Sequence, residues 1–392
     1  MSSEHSLRQR TLASPGPDTS SSTTGSEDPL ANLKTIFDPS TCTRRGLCPV
    51  TKLRKQDDDI TESHSLYFEQ HGRGEEKVVL IMGLNSTSFS WAPQVEYFGK
   101  SEKYSILVFD NRGVGNSGTP RGPYSTSGMA EDAICLLDYI GWTKERDIHV
   151  VGISLGGMIA QELATRIPER IISLFLAVTT PGGGLLSNLP PWKGTKTLAR
   201  LLLISNPEEK IPLLLDMVYP QSWLNLPSTT NPTPSSSDDP TSPSYIPSSS
   251  PAQTNREIQT PLYLHRMLHT RPQTPLGALS QMFAGMTHYV SPERLRKDIA
   301  EKVPKVLILT GDEDNLVRPD NSLRIMAAMG DLKGKSRKEL EGVVRDGKVN
   351  VELVIWEKTG HALHMQWVER FNALMERCWE EGRKNLEERA AA

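Results

Sequence analysis

Long apolar runs are missing from this 392-residue chain. None reaches the ~18 residues that a membrane-crossing helix needs, so no transmembrane segment is expected. A dominant charge is missing too. With 44 Lys and Arg against 47 Asp and Glu, the formal net charge is -3. That balance lacks the electrostatic footprint of a nucleic-acid binder and offers little to an anionic membrane surface. Cysteine is scarce: Cys42, Cys48, Cys135 and Cys378. Cys42 and Cys48 lie in "CTRRGLC", and two cysteines make no zinc site without further ligands. Cys135 and Cys378 fall on apolar helical patterns, where a buried free thiol is the default. The opening stretch "MSSEHSLRQRTLASPGPDTSSSTTGSEDP" has no apolar segment of the secretory type, and the closing "ERAAA" is no peroxisomal tripeptide. These features predict a reduced, cytoplasmic protein.

Mean hydropathy is also low, at -0.41, and its deficit is uneven. Residues 1–58 are rich in Ser, Thr, Pro and charge, and are expected to be a disordered tail. Residues 30–54 hold Leu30, Leu33, Ile36 and Phe37 at near-helical spacing and are a candidate docking segment. From residue 59 the pattern changes. Buried strands are predicted at "KVVLIMG" (77–83), "YSILVFD" (104–110), "IHVVGI" (148–153) and "IISLFLAV" (171–178), with helical patterns between them and a further strand at "SLYFEQHG" (65–72). Short apolar runs alternating with helices predict a parallel sheet covered on both faces. The alternation stops after Val178. Residues 185–299 read as helices only, interrupted by a Ser/Pro/Thr-rich insert at 225–255 that is expected to be disordered. The sheet pattern returns at "KVLILTG" (305–311) and "NVELVIWE" (350–357). The predicted organisation is thus a core in two parts, 59–184 and 300–392, around a helical insertion.

Four signals carry chemistry. Gly152-Ile153-Ser154-Leu155-Gly156 joins a strand to a helix. A serine hydroxyl is a poor nucleophile unless it stands clear of the sheet, near a base and a positive helix end. The residues two before and two after it must then be small. Gly83-Leu84 ends another strand, where a backbone N–H can pair with that of Leu155 to stabilise an oxyanion. "TGDEDNLVRP" (310–319) offers Asp312, Glu313 and Asp314 as carboxylates able to orient a histidine. His361 follows the strand 350–357 on a loop, with His364 as its competitor nearer the last helix. Each signal follows a different strand, and open α/β sheets place their sites at that edge. The order Ser, acid, His is that of one hydrolase class.

With these residues the chain resembles the α/β-hydrolases that carry a helical cap. "DNRGVGNSG" (110–118) is similar to the family's D-x-R-G-x-G-x-S loop, and "GISLGGMIAQELA" to its nucleophile elbow. The resemblance spans about residues 60–185 and 300–382. It implies an α/β-hydrolase fold: a mostly parallel central sheet, helices on both faces and an inserted cap. It also implies Ser154 as nucleophile, His361 as base, Asp314 as acid at the family's G-x-x-D position, and Leu84 and Leu155 as oxyanion N–H donors.

Departures narrow the chemistry. The usual His-Gly before the oxyanion residue is Met82-Gly83, and the H-G-x-P pattern of epoxide hydrolases is absent. A serine nucleophile disfavours ring opening through an alkyl-enzyme ester. Gly113-Val114-Gly115-Asn116-Ser117-Gly118 spells a dinucleotide fingerprint, but no helix pattern follows it. No metal or cofactor is implied. The expected reaction is hydrolysis of a carboxylic ester of a small or medium apolar substrate through an acyl-enzyme. A thioesterase, lactonase or carbon–carbon bond hydrolase would use the same triad, and a non-catalytic receptor or scaffold could share the fold.

Overall fold

The computed structural model describes residues 33–50, 64–184, 188–204, 206–228, 253–330 and 350–391. The chain divides into Met1–Leu33 and Lys34–Ala392, and the architecture below is that of the second unit. Most of the Ser-rich leader, most of the 225–255 insert and the charged stretch 333–348 lie outside the described residues.

Eight strands form one sheet: β1 (Cys42–Cys48), β2 (Leu66–His71), β3 (Glu76–Ile81), β4 (Tyr104–Phe109), β5 (Ile148–Ile153), β6 (Ile171–Ala177), β7 (Lys305–Gly311) and β8 (Val351–Trp356). Their order is β1-β2-β4-β3-β5-β6-β7-β8. β1 and β2 are antiparallel to each other, and β2 is antiparallel to β4. Every later pairing is parallel.

Alternation along the strands builds two cores. Val79 and Ile81 of β3, Ile148 and Val150 of β5, and Val306 and Ile308 of β7 face one side. Helices Thr126–Ile140, Leu155–Ala164 and Asp320–Met329 cover them, contributing Leu136, Ile159, Leu163 and Met326. Val78, Leu80, Val151, Ile153, Leu307 and Leu309 face the other side. There Val95 and Phe98 of helix Ala92–Gly99 pack with Phe371, Met375 and Trp379 of helix Val368–Ala391. Successive side chains of a strand point to opposite faces, so a sheet buried on both sides must be apolar throughout. Each fully buried aliphatic side chain contributes roughly 1.5–3 kcal/mol.

Two boundaries differ from the sequence expectation. The tail predicted to end at residue 58 ends too late, because Cys42–Cys48 is an edge strand and Phe37, Cys48 and Val50 are buried. Its sequence does not read as a strand, because Thr43 and Arg44 are exposed on it and its pairing partner begins eighteen residues after its end. The helical insertion, expected to run to 299, gives way earlier to the main core, since Val290, Leu295 and Ile299 pack into the first sheet face.

Between β6 and β7 lie helices Trp192–Leu203, Pro207–Val218, Gln221–Leu224, Asn255–His269 and Pro275–Thr287. The ends of the 225–255 insert are held together. The Ser228 N–H donates to the Gln253 carbonyl at 2.7 Å, and the Asn255 N–H donates to that of Leu226 at 3.0 Å. The insert therefore leaves and returns at one antiparallel neck.

Candidate active site

β3 connects outward to β4 while β5 begins on the other side of β3, so the loops after β3 and β5 diverge at a switch point. Both glycine signals sit there. Ser154 follows β5 and precedes helix Leu155–Ala164 with φ 57° and ψ -122°. That conformation is strained for a residue bearing a Cβ, by about 1–3 kcal/mol. Close packing enforces it. A Cβ on Gly156 would lie 2.1 Å from the Ile81 carbonyl oxygen, and one on Gly152 would lie 2.4 Å from that of Gly156. The Ser154 N–H donates to the Ala177 carbonyl at 2.9 Å, and Thr179 Oγ1 donates to the Ser154 carbonyl at 2.8 Å. The side chain does not cap its own helix and stays half-buried at the strand tip.

The loop after β3 lies against this turn. A Cβ on Gly83 would fall 3.0 Å from Ser154 Cβ and 3.6 Å from its Oγ. The Leu155 N–H belongs to the first turn of its helix, which leaves it no partner within that helix. The Asn85 N–H, by contrast, is committed to Gln281 Oε1 at 2.8 Å.

The "DNRGVGNSG" loop braces the same region. Asp110 Oδ1 accepts from the Ser88 N–H and Oγ–H, each at 2.8 Å, and Asp110 Oδ2 accepts from the Asn116 N–H at 2.8 Å. Burial pushes this carboxyl's pKa up, and the three hydrogen bonds oppose the shift. Asn111 Nδ2 donates to the Met82 carbonyl at 2.9 Å. Arg112 forks onto buried Asp132 with two bonds of 2.6 Å. After this loop no helix begins until Thr126, so the fingerprint-like glycines serve a brace and not a dinucleotide turn.

Asp314 and His361 are brought together. His361 Nδ1–H donates to Asp314 Oδ2 at 2.7 Å, and both side chains are buried. Asp314 Oδ1 accepts from the N–H groups of Leu316 and Val317, at 2.7 and 2.9 Å. The carboxylate is thus fixed by its own loop and turned toward the imidazole. A neutral imidazole donating through Nδ1 keeps Nε2 as a proton acceptor.

The competing residues are occupied elsewhere. Asp312 Oδ1 accepts from the Thr359 N–H at 3.3 Å, and the Glu313 N–H donates to the Thr359 carbonyl at 3.0 Å, so both lace the two loops together. His364 is packed against Trp91, with ring centroids 5.1 Å apart, and near Phe371. Burial, with the charges of Arg266 and His361, pushes its pKa down to about 3.

Inserted helices meet every one of these loops. Gly360 abuts the Val218 carbonyl, Gly194 abuts that of Asn315, and Gly277 abuts that of Gly113. Gln281 Nε2 donates to the Arg112 carbonyl at 2.8 Å, and Gln273 Nε2 donates to Asn85 Oδ1 at 3.1 Å. Sequence reasoning missed Gln281. Its signal was present: a glutamine on an apolar helical stripe between Ala278 and Ala284, buried with them.

The described residues contain no helix long and apolar enough to cross a membrane. The chain resembles known proteins at two levels. RutD of Azorhizobium caulinodans, which is named as a carbamate hydrolase, is 33% identical over 159 residues, 41% of this chain and 56% of that protein. The 3-oxoadipate enol-lactonase 2 of Acinetobacter baylyi is 33% identical over 116 residues, 29% of this chain and 42% of the lactonase. The chain thus spans about half the length of these relatives. In fold it is similar to a meta-cleavage product hydrolase from Pseudomonas fluorescens, with a TM-score of 0.58 at 17% identity over 87% of this chain and 98% of that one. The sequence model of the alpha/beta hydrolase family matches residues 71–374, and on that match and the sheet described above this chain belongs to the alpha/beta hydrolase family.

Proposed function

We propose that the chain is a serine hydrolase that cleaves a carboxylic ester, cyclic or open, through an acyl-enzyme. Ser154 attacks the carbonyl. His361 takes its proton and later returns it to the leaving alkoxide, Asp314 holds the imidazole in the right tautomer, and the Leu84 and Leu155 N–H groups receive the oxyanion. Water then releases the acid and regenerates Ser154. The observation that carries this reading is the 2.7 Å bond between His361 and a carboxylate already fixed by two backbone donors.

The Leu, Met, Tyr, Trp and Phe content of the inserted helices supports an apolar acyl or alcohol part. The lactonase among the relatives favours inclusion of ring esters. We infer a cytoplasmic setting from the four free thiols, which suit a reducing compartment.

The test is labelling by a fluorophosphonate together with turnover of short p-nitrophenyl esters and of small lactones. Wild-type protein should label at Ser154 and turn over repeatedly, and Ser154→Ala should do neither. Labelling without repeated turnover would favour a receptor on this fold, and labelling of Ser154→Ala would refute the nucleophile assignment.

A further inference from the structure

We propose that Cys42, Glu69 and His71 bind a single Zn²⁺ that fastens β1 to β2. The cluster lies at the sheet edge opposite the active site, because His71 pairs with Ile106 near the start of β4. Cys42 and His71 are cross-strand partners, and Glu69 shares the face of His71 two residues away. The three ligand atoms, one each of sulfur, oxygen and nitrogen, lie within 4.8 Å of one another.

The surrounding hydrogen bonds leave two buried acceptors facing each other. Thr41 Oγ1 donates its proton to the Asp38 carbonyl at 2.9 Å. It can therefore only accept from His71 Nδ1–H, 2.8 Å away. That puts the lone pair of the neutral ring on Nε2. On the carboxylate, Oε1 of Glu69 accepts from Thr35 Oγ1 at 2.7 Å and from the Tyr67 hydroxyl at 2.8 Å. Its Oε2 is left toward His71 Nε2, at 3.5 Å.

His71 Nε2 makes no hydrogen bond among the described residues, and the side chain is fully buried. A charge-assisted hydrogen bond would be shorter, at about 2.7–2.9 Å. Two lone pairs at this separation repel unless a cation sits between them. Zinc bonds of about 2.0–2.2 Å at a tetrahedral angle place neighbouring N and O ligands about 3.4 Å apart, close to the spacing seen. Thr41 then fixes the histidine tautomer, and Thr35 and Tyr67 fix the carboxylate, as outer partners of a metal site commonly do. Cys42 is half-buried, its Sγ resting 3.8 Å from the Arg44 carbonyl, and rotation from that weak contact with release of the thiol proton to solvent completes a third, thiolate ligand. Solvent on its side supplies a fourth. A mixed S, N, O donor set suits Zn²⁺ better than Mg²⁺ or Ca²⁺.

The test uses the full chain, stripped with EDTA and desalted, in a His269→Ala background. That background removes the exposed His265–His269 pair, whose rings lie 4.2 Å apart and could collect zinc independently. Titration with ZnCl₂ should give one Zn²⁺ per chain retained through gel filtration, with a rise in melting temperature. Co²⁺ in its place should show a sulfur-to-metal charge-transfer band. Cys42→Ala should leave the zinc-free melting temperature nearly unchanged, abolish that band and weaken zinc binding at least about tenfold, as should Glu69→Gln. His71→Ala empties a buried position, so Cys42→Ala carries the test. Failure to retain zinc would overturn the proposal, and so would equal retention by the Cys42 and Glu69 variants.

Discussion

The sheet and the helical insertion solve burial differently. β5, β6 and β7 are buried at every position, and their side chains divide between two continuous cores. Helix Trp192–Leu203 buries only Gly194 and Leu201, and helix Asn255–His269 buries only Gln259. Trp192, Leu203, Leu268, Leu279 and Phe283 are exposed. A separate small cluster, Ile211, Leu215, Tyr219, Trp223 and Leu224, seats the insertion on Ala362 and Met365, beside His361. The difference teaches a division of labour. On the proposed function, the rigid sheet would hold the reacting groups and the more thinly packed layer would meet the substrate, as expected where specificity must vary without loss of fold.

The largest break in that comparison should come from the sheet's carboxyl edge. Ser154→Ala and His361→Ala should each lower kcat for p-nitrophenyl esters by on the order of 10⁴-fold or more, with the melting temperature preserved. Asp314→Asn should approach the same loss. Asp312→Asn keeps an oxygen able to accept from the Thr359 N–H and should cost at most about 1 kcal/mol of stability, with kcat nearly unchanged. Equal kinetics for the two aspartate variants would overturn the choice of Asp314, and a severe kcat loss in folded His364→Ala with a mild one in His361→Ala would overturn the choice of His361.

Next should come the elbow glycines. Gly156→Ala drives a methyl into the Ile81 carbonyl and should destabilise by ~3 kcal/mol or more. In the insertion, Gly285→Ala meets only Leu155 Cδ1 at 3.7 Å and should stabilise its helix by up to about 1 kcal/mol. Chemical denaturation of both variants measures whether the two layers differ in packing tolerance as the geometry says.

Coupling between the layers is tested at Gln281. Its replacement by Leu unpairs the Asn85 N–H and the Arg112 carbonyl, and should cost about 1–3 kcal/mol for each group left unsatisfied. It should also lower kcat by up to about 10²-fold, because the loop proposed to receive the oxyanion loses its register. An unchanged kcat in a destabilised variant would show that the glutamine only holds the insertion down.

Acid should act on both layers through buried imidazoles. Burial holds His288, at the end of helix Pro275–Thr287, down to about 4, and His364, in the sheet core, down to about 3. The unfolded value is about 6.5. Between these values the unfolded chain takes up protons that the folded protein refuses. Stability is therefore full above about pH 6.5 and falls as pH drops toward 4, by up to ~1.4 kcal/mol per pH unit for each histidine. Urea midpoints at pH 7, 6 and 5 should follow this fall, and His364→Phe should lessen its slope.

The smallest effect should follow replacement of residues 229–252 by a short Gly-Ser link. The neck hydrogen bonds at Ser228 and Asn255 lie outside the exchanged segment, and loop length changes closure cost by only ~0.6 kcal/mol per doubling. The melting temperature should move by a few degrees at most, with any larger change confined to substrate preference.

Much of this molecule was legible before any coordinates. The β-branched and leucine runs of β3 to β7 specified a sheet buried on both faces, because period-two chains without polar gaps have no other stable setting. Small residues around Ser154 specified a sharp turn for the same steric reason that the structure displays. Local sequence left Asp312, Glu313 and Asp314 open, since all three ride one loop, and only the resemblance to the α/β-hydrolases implied Asp314. In the structure Asp314, held by two backbone N–H groups, is the carboxylate that meets His361.

Local sequence also could not find β1, where exposed Thr43 and Arg44 hide an edge strand that exists only through pairing with β2. The same pairing explains Cys42. In sequence its nearest cysteine is Cys48, six residues away, and two cysteines make no zinc site without further ligands. In space Glu69 and His71 stand beside it. Local pattern determined which segments become strands and helices, because that depends on the period of burial along the chain. Only the tertiary structure decided which side chains meet, because hydrogen bonds and metal ligands need particular atoms within about 3 Å, and residues far apart in the chain supply them.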